Sequence, residues 1–225
     1  MNMKSKNKNS FLLLGVFIIY LILLSSCVEM PTKGPTPPPL VSTYRFVNAA
    51  PDLANVGIAV DGTSAGTIDF KGNTSYAQYV SGTKDVTLSN GDAIIISMAT
   101  DYQGTICLLP KEAGVRAVLR ANEMRVFDPV NTGAKGMLRM IHVAEAPDVD
   151  ITATSSDTSV SWTAAKYKSI GAYRSVHPGD YTVTVAAAGD TVLTFQVTVG
   201  SERNSAFIMG SATGGTLSAV ALKDN

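Results

Sequence analysis

One motif occurs twice in this chain, and a duplicated unit restricts the fold more than any local pattern does. The first copy reads Tyr44-Arg45-Phe46-Val47-Asn48-Ala49-Ala50-Pro51-Asp52 and continues to Val56-Gly57-Ile58. The second reads Leu138-Arg139-Met140-Ile141-His142-Val143-Ala144, followed by Pro147-Asp148-Val149-Asp150-Ile151. Later anchors repeat as well. Phe70, Tyr76 and Gly82 are spaced six and six, as are Tyr167, Tyr173 and Gly179, and Gly91-Asp92 answers Gly189-Asp190. The offset drifts from 94 residues at the arginines to 97 at the glycines, as loops that change length would produce. Units of this length are duplicated domains, because solenoid repeats have shorter periods.

Within each unit the pattern is that of strands. Val56, Ile58 and Val60 alternate with Gly57 and Ala59, and Asp61-Gly62 follows as a turn. Tyr181, Val183 and Val185 alternate with threonines, as do Phe195, Val197 and Val199 with Thr194, Gln196 and Thr198. A period of two rich in Val, Thr and Tyr marks half-buried antiparallel strands. Ala93 to Ala99 and Thr105 to Leu109 are nearly continuous apolar runs and are expected to be central strands covered on both faces. Residues 112–124 fit helix or strand equally. The predicted fold is all-β: two tandem antiparallel β-sandwiches of Ig-like proportions, residues 43–128 and 137–225, joined by a Pro/Gly linker at 129–136. Gly82 and Gly179 stand where a turn needs φ > 0. Arg45, Asn48, Tyr76, Arg139, His142 and Tyr173 are read as structural positions of the repeat, with Asn48 and His142 each closing an apolar stripe.

The chain begins with a targeting segment, residues 1–26. Lys4, Lys6 and Lys8 precede a 14-residue apolar stretch, Phe11 to Leu24, too short for a bilayer span and suited to a signal peptide. It ends in Leu24-Ser25-Ser26-Cys27, which resembles the bacterial lipoprotein lipobox. That resemblance implies a diacylglycerol and an acyl chain on Cys27, with membrane attachment as the consequence; two or more chains hold firmly. Val28 is not the aspartate that signals inner-membrane retention in enterobacteria, so an outer-membrane location is expected where the cell has one. Residues 27–42 comprise Cys27 and a Pro-rich tether, residues 28–42, in which Pro31, Pro35, Pro37, Pro38 and Pro39 favour polyproline II, reaching roughly 45 Å at ~3.1 Å per residue. Without the leader's three lysines the chain carries 15 basic and 18 acidic residues, net −3. No basic cluster is present, which argues against nucleic acid as a partner.

The repeat resembles the domain-of-unknown-function family four-three-nine-seven of bacterial secreted proteins and lipoproteins. That family's pattern is Arg-x-x-His-Ala-x-Pro-Asp, then Val-Asp, Asp-Gly, a Tyr, and Ala-Gly-x-Tyr-x-Val. The second copy keeps Arg139, His142, Pro147, Asp148, Val149, Asp150, Tyr173, Gly179, Tyr181 and Val183. The first keeps Arg45, Pro51, Asp52, Val56, Asp61, Gly62, Tyr76 and Gly82, with Asn48 for the histidine and Gly57 for the aspartate. The resemblance implies two copies and carries no activity.

Catalytic and metal patterns are sparse. Gly62-Thr63-Ser64-Ala65-Gly66 fits G-x-S-x-G, which needs a helix after the serine, whereas Thr67-Ile68-Asp69-Phe70 reads as strand. Asp61-Gly62 as a hairpin turn explains the same residues. His142 with Asp150 or Asp148 is the other conceivable site, but no metal-binding spacing occurs. Cys107 is the only thiol besides Cys27 and sits in an apolar run, as a buried hydrophobe would. Trp162, near Tyr167 and Tyr173, fits a core position or a carbohydrate platform. The expected protein is a non-catalytic, lipid-anchored envelope protein using β-sandwich modules for adhesion, ligand binding (an envelope protein or glycan) or assembly. It needs no cofactor beyond the acyl groups. The alternative is an envelope hydrolase using Ser64 or His142/Asp150.

Overall fold

Each copy becomes eight strand positions in the same order. In the first copy these are β1 (Val41–Asn48), β2 (Val56–Val60), β3 (Thr63–Ile68), β4 (Ala77–Val80), β5 (Gly82–Leu88), β6 (Ala93–Met98), β7 (Tyr102–Glu112) and β8 (Val115–Arg125). In the second they are β9 (Gly136–His142), β10 (Val149–Thr154), β11 (Ser159–Ala165), β12 (Ser169–Ile170), β13 (Arg174–Val176), β14 (Gly179–Ala187), β15 (Asp190–Val199), β16 (Arg203–Met209) and β17 (Ser218–Asp224). β12 and β13 together take the place of β4. This computed structural model describes residues 39–125, 135–211 and 217–224. The targeting segment, Cys27, most of the tether and residues 126–134 of the junction lie outside the described residues.

Four sheets result, with orders β3-β2-β5-β6, β4-β1-β7-β8, β12-β9-β16-β17 (β13 also on β9) and β11-β10-β14-β15. The first two enclose a core that includes Phe46, Ile58, Val86, Ile96 and Leu108. The last two enclose another, with Met140, Ile151, Trp162, Val183 and Ile208. These are two β-sandwiches in tandem. Besides antiparallel ladders, each contains one parallel pair, β1 with β7 and β9 with β16. Periodicity does not distinguish the two kinds of pairing.

A third apolar cluster lies between the sandwiches. It contains Val47, Cys107, Leu109 and Ala121 from the first copy and Ile141, Val143, Phe207 and Met209 from the second. The inner sheets, those containing β1 and β9, are therefore covered on both faces and the molecule is four layers deep. This explains the continuous burial along β1, β7, β9 and β16. Residues 39–225 accordingly form one compact unit.

Thr105–Leu109 lies in β7, a central strand buried on both faces as expected. The run from Ala93 does not behave that way. β6 is a sheet edge with alternating burial, and Ile95 is 73% exposed. Its inward residues, Ile94, Ile96 and Met98, account for the hydrophobicity, and no layer covers its other face. Residues 112–124 are strand: β7 returns as β8 through Ala113-Gly114, both at positive φ, the geometry of a tight hairpin turn. Asp61-Gly62 makes the same kind of turn between β2 and β3. Gly82 and Gly179 open β5 and β14 at φ +114° and +151°, where the chain crosses from inner to outer sheet. A side chain is disfavoured at those angles, which explains why glycine recurs.

Candidate functional site

The repeated residues meet at the junction of the two sandwiches. Alternation along β1 sends Tyr44 and Phe46 into the first core and Arg45 and Val47 towards the other sandwich. On β9, Leu138 and Met140 enter the second core while Ile141 faces the first sandwich. The parallel pairing brings Arg45 opposite Thr105 and Arg139 opposite Ser205. Arg45 Nε donates to Thr105 Oγ1 at 3.1 Å, and Arg139 Nε to Ser205 Oγ at 2.9 Å. Each guanidinium also stacks on the repeat's tyrosine, Arg45 on Tyr76 at 4.6 Å and Arg139 on Tyr173 at 4.3 Å.

The two halves are then joined by one acid. Arg45 Nη2 donates to Asp224 Oδ1 at 2.8 Å and Nη1 to the Lys223 carbonyl at 2.7 Å, crossing from the first strand of one sandwich to the last strand of the other. Asp224 Oδ2 accepts from the Tyr173 hydroxyl at 2.8 Å and from Ser205 Oγ. Arg45 and Asp224 are 4% and 2% exposed, so the pair is withdrawn from water and held by further hydrogen bonds on both sides. The arrangement is asymmetric. Arg139 Nη2 and the Tyr76 hydroxyl are buried without a hydrogen-bond partner among the described residues. Burial, together with the Asp224 charge, pushes the Tyr173 phenol above its ordinary range, and burial lowers Arg139. This cluster of charges and hydroxyls ties the inner sheets of the two sandwiches together.

The other repeated polar positions fasten loops. Asn48 Nδ2 donates to the Leu53 carbonyl at 2.7 Å, and its Oδ1 accepts the Ala50 amide at 3.0 Å. His142 occupies the same place in the second copy, with Nε2 3.4 Å from the Pro147 carbonyl. Desolvation depresses its pKa, and Nδ1 is without a partner among the described residues. Asp150 is turned away from this work and accepts the Ala164 amide at 2.8 Å. The His142/Asp150 pair of the hydrolase alternative is therefore not assembled. The histidine closes one loop and the exposed acid caps another. Asp148 is exposed, and no group of three or more potential metal ligands occurs among the described residues.

Ser64 is exposed on β3, paired opposite Ala59 in the hairpin, and a strand continues after it. The helix that a nucleophile elbow requires is missing there. Trp162 is 6% exposed, packs in the second core and donates Nε1 to the Ala172 carbonyl at 2.8 Å, so it is a core residue. Cys107 is fully buried between the sandwiches, and desolvation raises its thiol to about 12.

Sequence reasoning missed several partners. Thr105 and Ser205 each carry a lone hydroxyl at the head of an apolar run in register with the arginine, a signal readable in both copies. Asp224, at the far end of the chain, gives no local signal. Arg116 was also missed. It holds Asp52 of the Pro-Asp motif through two hydrogen bonds of 3.0 and 2.8 Å and donates Nε to Asp92 at 3.0 Å. Lys111, with Asn90 and Arg116, holds the Asp92 carboxyl down at about 2.

No curated protein matches the chain. Among solved structures, the Bacillus anthracis TIE protein is similar at 12% identity over 76% of this chain and 34% of that one, with a TM-score of 0.24. This chain thus spans about a third of that protein's length. A family 26 carbohydrate-binding module from Eubacterium rectale, solved with maltoheptaose, is 10% identical over 83% and 98% of the two chains, with a TM-score of 0.27. A candidate cell adhesion protein from Bacteroides fragilis is 10% identical over 77% and 85%, with a TM-score of 0.24. Likenesses this remote carry no functional argument. At the level of sequence families, the second repeat, residues 136–225, matches the family described as Domain of unknown function (DUF4397), one copy where the motif comparison led us to expect two.

Proposed function

We propose that this chain is a lipid-anchored, non-catalytic cell-envelope protein that presents two β-sandwich modules for adhesion, ligand binding or envelope assembly. The observation that carries the reading is Leu24-Ser25-Ser26-Cys27 behind a 14-residue apolar stretch, followed by a Pro-rich segment that leads directly into β1. Acylation of Cys27 attaches the protein to a membrane, the outer one where the cell has two, and the tether holds the sandwiches above the headgroups. The first sandwich is a diverged second copy of the DUF4397 unit, a reading supported by the shared strand order, arginine register and Arg–Tyr stack. The non-catalytic reading is supported by the structural hydrogen bonds that occupy His142 and Asp150 and by the hairpin setting of Ser64. Metabolic labelling with palmitate, with membrane fractionation, tests the anchor. Wild type is expected to label and sediment with membranes, and Cys27→Ser to do neither. Equal labelling of the two would refute it.

A further inference from the structure

The two sandwiches differ at one edge. In the second, Trp162 on β11 spans the gap between outer and inner sheets, its Nε1 bonded to Ala172 between β12 and β13. The fit is tight: a Cβ on Gly171 would lie 2.6 Å from the indole ring. In the first sandwich that register position, opposite Ile58 as Trp162 is opposite Ile151, belongs to Gly66, beside a bulge. Gly66 faces the buried Thr74 there, whose methyl would lie 3.7 Å from an added Cβ. Along the same edge, towards the β2–β3 hairpin, a cleft of about 370 Å³ opens between β3 and β4.

The lining has a definite chemistry. Thr63, Ser64 and Gln78 offer neutral donors and acceptors, while Ala65 and the Tyr79 ring offer apolar surface. Tyr79 is half-buried, and its ring meets Phe46 edge-on at 6.5 Å, which fixes its position. Lys84 and Asp61 at the rim neutralise each other across 2.7 Å. A charged ligand would have to disrupt that pair, whereas hydroxyl groups can hydrogen-bond to it. All these side chains stand on strands or on a tight hairpin, so the site is largely preorganised. Its size falls in the range of small-molecule sites, roughly 300–1,000 Å³.

We propose that this cleft binds a neutral oligosaccharide, hydroxyls against Ser64, Gln78 and the Asp61–Lys84 pair, and a C–H face against Tyr79 and Ala65. The proposal deepens the surface-binding reading above and rests on it. The detergent-solubilised full chain is titrated with maltoheptaose, cellohexaose and chitohexaose, with saturation-transfer NMR and calorimetry as readouts. At least one probe is expected to bind. Ala65→Trp, which fills the cleft, and Gln78→Ala, at an exposed strand position, should each weaken it about ten-fold or more, the equivalent of roughly 1.4 kcal/mol. Ser161→Ala, at the matching strand of the second sandwich, should leave affinity unchanged. If Ala65→Trp does not fold, Gln78→Ala carries the comparison. No binding of any probe, or wild-type affinity in the cleft variants, overturns the proposal. Palmitate labelling is read separately, so failure of this site leaves the anchoring result standing, and failure of the anchor leaves binding measurable.

Discussion

Arg45 and Asp224 allow the junction to be tested by a double-mutant cycle. Arg45→Met removes the guanidinium that reaches Asp224, the Lys223 carbonyl and Thr105, but leaves the Asp224 carboxylate its two hydroxyl donors. Asp224→Leu leaves the buried Arg45 guanidinium without its carboxylate and takes a favourable charge from Arg139. Breaking a buried pair from one side costs about 3–5 kcal/mol, and the leucine variant should lie at the upper end. The double variant replaces both charges by apolar groups of similar bulk, so no charge of the pair is left stranded. It should cost little more than either single change, giving a coupling energy of about 2–3 kcal/mol. At about 2–4 °C per kcal/mol for a chain of this size, each single variant should lose roughly 6–20 °C in Tm. Equilibrium urea unfolding of the full chain measures the cycle. Single costs below about 1 kcal/mol would mean the pair behaves like an exposed one. Single costs that simply add, within about 0.5 kcal/mol, would mean the two groups are not coupled and refute the latch.

His142 should make stability pH-dependent. Burial depresses its folded pKa below the ordinary 6.5, so the unfolded chain binds the proton more readily. Its stability contribution is complete above pH 6.5 and is lost as pH falls from there through the folded value, and His142→Asn, copying Asn48, should flatten that slope in urea titrations between pH 5 and 8. Cys107 should resist thiol reagents in the folded Cys27→Ser chain and react fully in urea, because it is buried and its thiol is raised to about 12; rapid native labelling would contradict the closed junction. Ester and peptide substrates should show no turnover that Ser64→Ala abolishes; turnover lost in that variant would restore the hydrolase reading.

Much of the architecture was legible in the letters. Alternation reports whether one face of a strand is wet, so β2, β14 and β15 were readable, and Asp61-Gly62 revealed a hairpin. Recurrence of Arg45 and Arg139, of Tyr76 and Tyr173, and of Gly82 and Gly179 exposed the duplication. The same rule misplaced β6, because its three inward side chains and Ile95 look in sequence like a strand covered on both sides.

The sequence by itself determined the all-β class, the alternating strands and the positions at which each copy needs arginine, tyrosine or glycine, while residues 112–124 became strand only in the structure. It could not say what those arginines face. An apolar run such as Thr105 to Leu109 shows that both faces are covered without naming the second cover, which the structure supplies as the neighbouring sandwich. The pairing of Arg45 with Asp224 joins residues 179 positions apart. Such a contact follows only from the docking of the two inner sheets. The cleft at β3 is likewise invisible in one strand alone, since its lining comes together from β3, β4 and Lys84 of β5. Local pattern reports the water around a strand, whereas partners and cavities depend on where distant strands come to rest.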